Sequence, residues 1–180
     1  MTGPLAIDDG YRLSIEACIV DAGQNVGDTG TAHALAAASD PASRWGAPLD
    51  VRGATFLGPV RCTEARGSGG LFTRRLSVWN NQTGCLKHSG FSGDADRLPP
   101  HHACVSLAAA RLAFTDTWHG APGYGQLAAG SDFNIRQSGP GDDAMGAFGF
   151  LLEAHKWNNL TIRLREFMPV GARPLLIAVT

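Results

Sequence analysis

Two cysteines and two histidines are the residues whose types and spacing first suggest chemistry. Cys85, His88, His101 and Cys104 read as Cys-x2-His, a gap of twelve residues, then His-x2-Cys. Thiolate and imidazole ligands at that spacing could enclose a tetrahedral zinc, because a two-residue gap lets both side chains of each pair turn toward one ion. His102 offers a competing ligand. Two other readings fit the same stretch. The cysteines can be plain buried or free thiols, the commonest fate of the residue. They can also close a Cys85–Cys104 disulfide, worth about 3 kcal/mol for a loop of this length in an oxidising compartment.

Other chemistry-bearing residues have plainer readings. Cys18 and Cys62 sit in short apolar snippets and read as small side chains stacked in an interior. Asp21, Asn25 and Asp28 place oxygen ligands in a Gly-rich loop, but without the order or closing Glu of a calcium loop they read as a polar turn. Asp142 and Asp143 are adjacent and suit a helix N-terminus. Cleaving a polysaccharide takes paired acids facing one groove, whereas the acids on the short apolar pieces, Glu16, Asp50 and Glu64, are sparse. Trp45, Trp79, Trp118 and Trp157, with Phe91 and Tyr124, could line a sugar-stacking surface, although packing is the commoner use of such rings. No phosphate-binding loop, dinucleotide fingerprint or nucleophile elbow occurs. No catalytic or cofactor-binding residue is assigned.

The elements that must position these residues are short. Over residues 11–88, pieces of three or four residues alternate apolar and polar: Leu13, Ile15 and Ala17; Leu49 and Val51; Leu76 and Val78. Such pieces suit the rungs of a short right-handed parallel β-helix of two or three coils, with Thr55, Gly58, Gly70 and Thr73 at corners. A β-sandwich is the alternative. Residues 24–48 read as an insertion with a helical turn over 32–38, and residues 85–104 as a Cys-bounded loop closing a β-helical region 1–104. Residues 105–180 read as a cap of the same domain. Its three- and four-residue apolar steps over 142–168 (Phe148, Leu151, Leu152, His155, Leu160, Leu164, Phe167, Met168) predict helix, divided at 157–159 and stopped by Pro169 and Gly171. A strand over 173–180 ends the chain.

Composition bounds the partners. The 180 residues carry a formal net charge of −1, with fifteen basic residues scattered rather than clustered. That argues against nucleic acid. No apolar run approaches the roughly 20 residues that span a bilayer, and the start has no basic-then-apolar leader. Two or three coils expose unpaired ladder edges, so other copies or further upstream coils are expected beside them.

The C-terminal half carries more specific marks: Pro122-Gly123-Tyr124, Gln126-Leu127-Ala128, Ile135-Arg136, "GDDAMGAF" at 141–148, "NL" before "RL", and "EF-MP" up to 169. With "VRGATFLGPV" and "LFTRRLSVWNNQTGCLKHS" upstream, residues 49–180 resemble the closing segment of large bacterial proteins associated with phage-tail-like contractile injection systems. Cys85 and Cys104 match that pattern, whereas His88, His101 and His102 replace other polar or basic residues. The resemblance implies a structural or assembly module with tail-particle proteins as partners, made in the bacterial cytoplasm and open to release within a particle. It implies no catalytic residues. The alternative from another class is a carbohydrate-binding or polysaccharide-cleaving β-helix protein.

Overall fold

A computed structural model describes residues 3–23 and 32–173. Its strands are two to four residues long and fall into three sheets. Sheet 1 holds β1 (Leu5–Ala6), β4 (Leu35–Ala36), β7 (Val60–Cys62) and β10 (Leu76–Val78). Sheet 2 holds β2 (Leu13–Glu16), β5 (Leu49–Arg52), β8 (Ala65–Ser68), β11 (Leu86–Lys87) and β13 (His101–His102). Sheet 3 holds β3 (Ile19–Asp21), β6 (Thr55–Leu57), β9 (Leu71–Phe72), β12 (Gly90–Phe91) and β14 (Val105–Ser106). Neighbouring strands pair in parallel. The chain therefore visits the sheets in turn and climbs as a right-handed parallel β-helix; the sandwich alternative, which needs antiparallel neighbours, is set aside.

Five coils are present, more than the two or three expected. Strands of two residues such as β4, β11 and β12 are too short to show alternation. Residues 35–36, placed in the expected insertion with a helical turn, instead form a fully buried rung, Leu35 pairing with Val60. Ala-rich sequence favours helix only until a sheet edge takes its backbone groups. Three rungs likewise lie within the expected Cys-bounded loop: β11, β12 and β13.

Register stacks like on like. Val20, Phe56, Phe72 and Phe91 form one interior column. The Phe56 and Phe72 rings lie 4.9 Å apart and 3° from parallel, and Phe72 and Phe91 are 5.9 Å apart. Beside it, Val51, Gly67 and Leu86 form another, continued at its end by the exposed His101. Gly67 is required there: its φ is +127°, and a Cβ would sit 1.9 Å from the Val51 carbonyl oxygen. Every coil bends from sheet 2 into sheet 3 at one left-handed residue: Ala17, Gly53, Gly69, His88 and Ala103, with φ between +46° and +70°. Three of these are not glycine and carry strain.

The sheets differ on their outer faces. Sheet 2 is open to solvent and charged, with Arg66 Nε bonded to Asp50 Oδ2 at 3.1 Å. Sheet 3 is buried on both over β6, β9 and β12, so these strands lose the alternation of a half-exposed sheet. Residues 107–152 cover it: Leu71 packs with Ile135 and Met145 under Leu107, Leu112 and Leu127. The cover contains α1 (Phe133–Gln137), whose first turn is capped by Asp132, and a short 3-10 turn at Gly149–Leu151. It is tied to the rungs by Gly146 N–H donating to Gly69 O, by Ala147 N–H donating to Thr55 Oγ1, and by the Tyr124 hydroxyl donating to Asp21 Oδ2.

The helical cap ends in α2 (Glu153–Phe167). It starts eleven residues later than expected and runs unbroken through 157–159. Asp143 does cap it, but from ten residues upstream, its buried Oδ1 accepting from the Ala154 N–H at 3.3 Å. Met168, just before Pro169, ends it. Residues 174–180 of the strand expected over 173–180, and Asn25 and Asp28 of the polar turn, lie outside the described residues.

Candidate functional site

The Cys and His residues of the opening motif are drawn into the coils rather than toward one point. His88 is the left-handed bend of the fourth coil, and its Nδ1 lies 3.1 Å from the Ser138 carbonyl oxygen. His101 Nδ1 lies 3.0 Å from the Pro99 carbonyl oxygen, and its ring meets Phe91 edge-on at 5.7 Å. It thereby closes the top of the phenylalanine column. The Cys85 and Cys104 thiols approach one carbonyl oxygen, that of Leu86, at 4.0 and 3.6 Å. Burial, with the neighbouring Cys85 as a lesser cause, raises the Cys104 thiol above its ordinary pKa. All four cysteines are free thiols, and among the described residues no three His, Cys, Asp or Glu side chains gather as a metal site. Cys62 is interior as expected, its thiol pushed up to about 12 by burial. Cys18 is not: it sits exposed at a corner, where its thiol donates to the Glu16 carbonyl oxygen.

A different cluster occupies the outer face of sheet 1. Arg61, Ser77 and Arg97 share one register column, so their side chains leave the sheet on the same face. Trp45 and Trp79 lie among them, rings 5.4 Å apart and tilted by 42°. The Arg61 guanidinium stands 4.3 Å over the Trp45 ring and that of Arg97 5.4 Å over Trp79. Arg61 is held by the carbonyl oxygens of Pro41, Ala42 and Ser43, which accept from its Nη atoms, while its buried Nε has no partner. Arg97 Nη2 donates to the Trp79 carbonyl oxygen at 2.8 Å. Trp45, Arg61, Ser77 and Arg97, with His33, Pro59, Val60 and Arg75, line a groove of about 400 Å³ with no carboxylate in its lining among the described residues, and Trp79 packs beside it against Trp45 and Arg97. The chemistry of its described lining is cationic and aromatic.

Trp45 and Trp79 were named from sequence without a common face; the rung register supplies one. Phe91 is interior, Tyr124 is tied to Asp21, Trp118 is exposed on the cover, and Trp157 lies on α2. Sequence reasoning missed Arg61 and Arg97. Their only signal was an arginine at the outward position of a rung, in "PVRC" and "ADRL".

Another concavity, of about 420 Å³, lies where α2 leaves the cover, between Leu127, Met145, Phe148, Leu151 and Trp157, with Arg136 and Glu153 also in its lining. Beyond it α2 is exposed, including Leu160, Ile162 and Phe167, the last at 84 %. Among the described residues, no helix is long and apolar enough to cross a membrane. Comparison with family models, with curated proteins and with solved structures found nothing that matches this chain.

Proposed function

We propose that this chain is a structural and assembly module of a phage-tail-like contractile injection system, a β-helical scaffold that joins its neighbours through α2. The observation that carries the reading is the exposure of Leu160, Ile162 and Phe167 on a helix whose only buried residue is Ala154. Burying a large apolar side chain stabilises by about 1.5–3 kcal/mol, so a helix left this bare is stabilised by a partner. The resemblance of residues 49–180 to the closing segment of injection-system proteins, and the parallel β-helix itself, support the same conclusion. The chain is then made in the bacterial cytoplasm and leaves within the particle, its partners being other copies, upstream coils or tail-particle proteins. In an oxidising medium Cys85 and Cys104 are expected to close a disulfide, which non-reducing peptide mapping would detect.

Light scattering after size exclusion tests the assembly step. The wild-type chain should form concentration-dependent oligomers, and Leu160→Glu with Phe167→Glu should leave a monomer with unchanged far-ultraviolet dichroism. A tagged wild-type chain should sediment with tail-like particles, and the doubly substituted one should not. A wild-type monomer at all concentrations that also stays out of the particles would sink the reading.

A further inference from the structure

The groove on sheet 1 is built for a ligand that carries negative charge and presents flat apolar faces. Among the described residues its guanidiniums are not neutralised by a carboxylate. Arg75 is exposed and its side chain makes no hydrogen bond or ion pair among the described residues, and Arg61 and Arg97 bond only to carbonyl oxygens. The carboxylate next in sequence, Asp96, is engaged by the Leu76 N–H at 2.7 Å, the Ser92 hydroxyl and the Gly93 N–H. Arg61 and Arg97 stand two rungs apart in one column, about 10 Å along the stack at the ordinary interstrand spacing. Trp79, 55 % exposed, lies against Trp45 and under Arg97. Guanidinium forks match carboxylates in shape as well as charge, and an indole face packs on the apolar face of a pyranose ring.

We propose that Trp45, Arg61, Arg75, Trp79 and Arg97 form a binding site for an acidic polysaccharide lying along the stack, its sugar rings against the indoles and its carboxylates toward the guanidiniums. Single-stranded nucleic acid also stacks on aromatics beside arginines, but it needs a cationic track longer than one face of a chain whose net charge is −1. The site is separate from α2, so it stands whether or not the chain assembles.

Titration of the full chain with a hexamer of galacturonic acid, followed by calorimetry, tests it. We expect saturable binding that weakens at least tenfold when the hexamer is methyl-esterified, at least tenfold in Trp79→Ala, and at least tenfold in Arg75→Ala with Arg97→Ala. Trp79, Arg75 and Arg97 are exposed, so thermal unfolding of these variants should match that of the wild type. Leu160→Glu with Phe167→Glu should bind the hexamer as the wild type does. No binding at millimolar hexamer, equal affinity for the esterified hexamer, unchanged affinity in the variants, or tighter binding of a thymidine oligonucleotide would each overturn the proposal.

Discussion

The rungs of coils two to four and the cover over residues 107–152 bury comparable apolar side chains, yet they are held in different ways. In the rungs each residue repeats a neighbour's role: Phe72 lies on Phe56 and under Phe91, Val60 between Leu35 and Leu76. Parallel hydrogen bonds fix that register many times over. The cover has no such repetition. Single polar contacts fix it: Ala147 to Thr55, Tyr124 to Asp21, the Ser131 hydroxyl to both backbone groups of Ala113, and Asp143 to the first turn of α2. Redundant order tolerates the loss of a bond but not of a side-chain volume; singular order does the reverse.

The largest effect that would test this contrast is Phe72→Ala. Removing the middle ring of the stack should cost about 3–5 kcal/mol and unfold rungs and cover together in one denaturant transition. A transition confined to either region would break the comparison.

The pH axis separates the regions next. Cys62 lies inside the rungs with its pKa raised from 9.0 to about 12, so the folded state holds its proton longer than the unfolded chain does. Its contribution is complete below pH 9.0 and is lost as pH rises toward 12, at about 1.4 kcal/mol per pH unit. Burial, and secondly the hydrogen bond to Asp21, raise Tyr124 in the cover, so its own loss begins only above 10.0. Urea midpoints for the wild type should therefore fall already between pH 9 and 10, and in Cys62→Ala fall less steeply there, the raised Cys104 thiol keeping part of the slope.

Tyr124→Phe sharpens the contrast further. It leaves the buried Asp21 carboxylate short of one donor, a cost of about 1–3 kcal/mol. Hydrogen exchange should speed over residues 114–127 while the amides of β5 to β12 keep their protection. Equal loss in both regions would mean that the cover and the rungs open as one unit.

Ala103→Gly should have the smallest effect and the opposite sign. Its φ of +52° strains an alanine, and relief should stabilise by about 0.5–1 kcal/mol, seen as a raised thermal midpoint. A lowered midpoint would mean that the bend is not strained.

Legibility in the sequence follows the same division. The β-helix was readable because Leu49 with Val51, and Leu76 with Val78, carry the alternation of a surface half inside and half out. The coil count was not, because rungs of two residues such as Leu35–Ala36 and Gly90–Phe91 carry no period, and sheet 3 is buried on both faces over β6, β9 and β12. Asp143 was legible as a cap although the helix it serves starts ten residues later, since the need of a helix start for an acceptor is local chemistry. The spacing of Cys85, His88, His101 and Cys104 could not show where the histidines lie, because distance along the chain carries no rung geometry, which turns His88 to the cover and His101 to Phe91. The sheet 1 groove stayed invisible because the residues in and beside it, at 45, 61, 79 and 97, meet only once the coils are in register.

The left-handed bend that every coil makes between sheets 2 and 3 makes the length of this molecule a quantity that can be changed in whole steps. Between Val60 and Leu76 one complete turn of the chain returns to its starting column sixteen residues later, bend included at Gly69. Excising or duplicating such a turn would shorten or lengthen the rod by about 4.8 Å and rejoin matching ladders on either side. The body then works as a ruler graduated in coils, on which the spacing between whatever is attached at the two ends is set by how many turns are written into the chain.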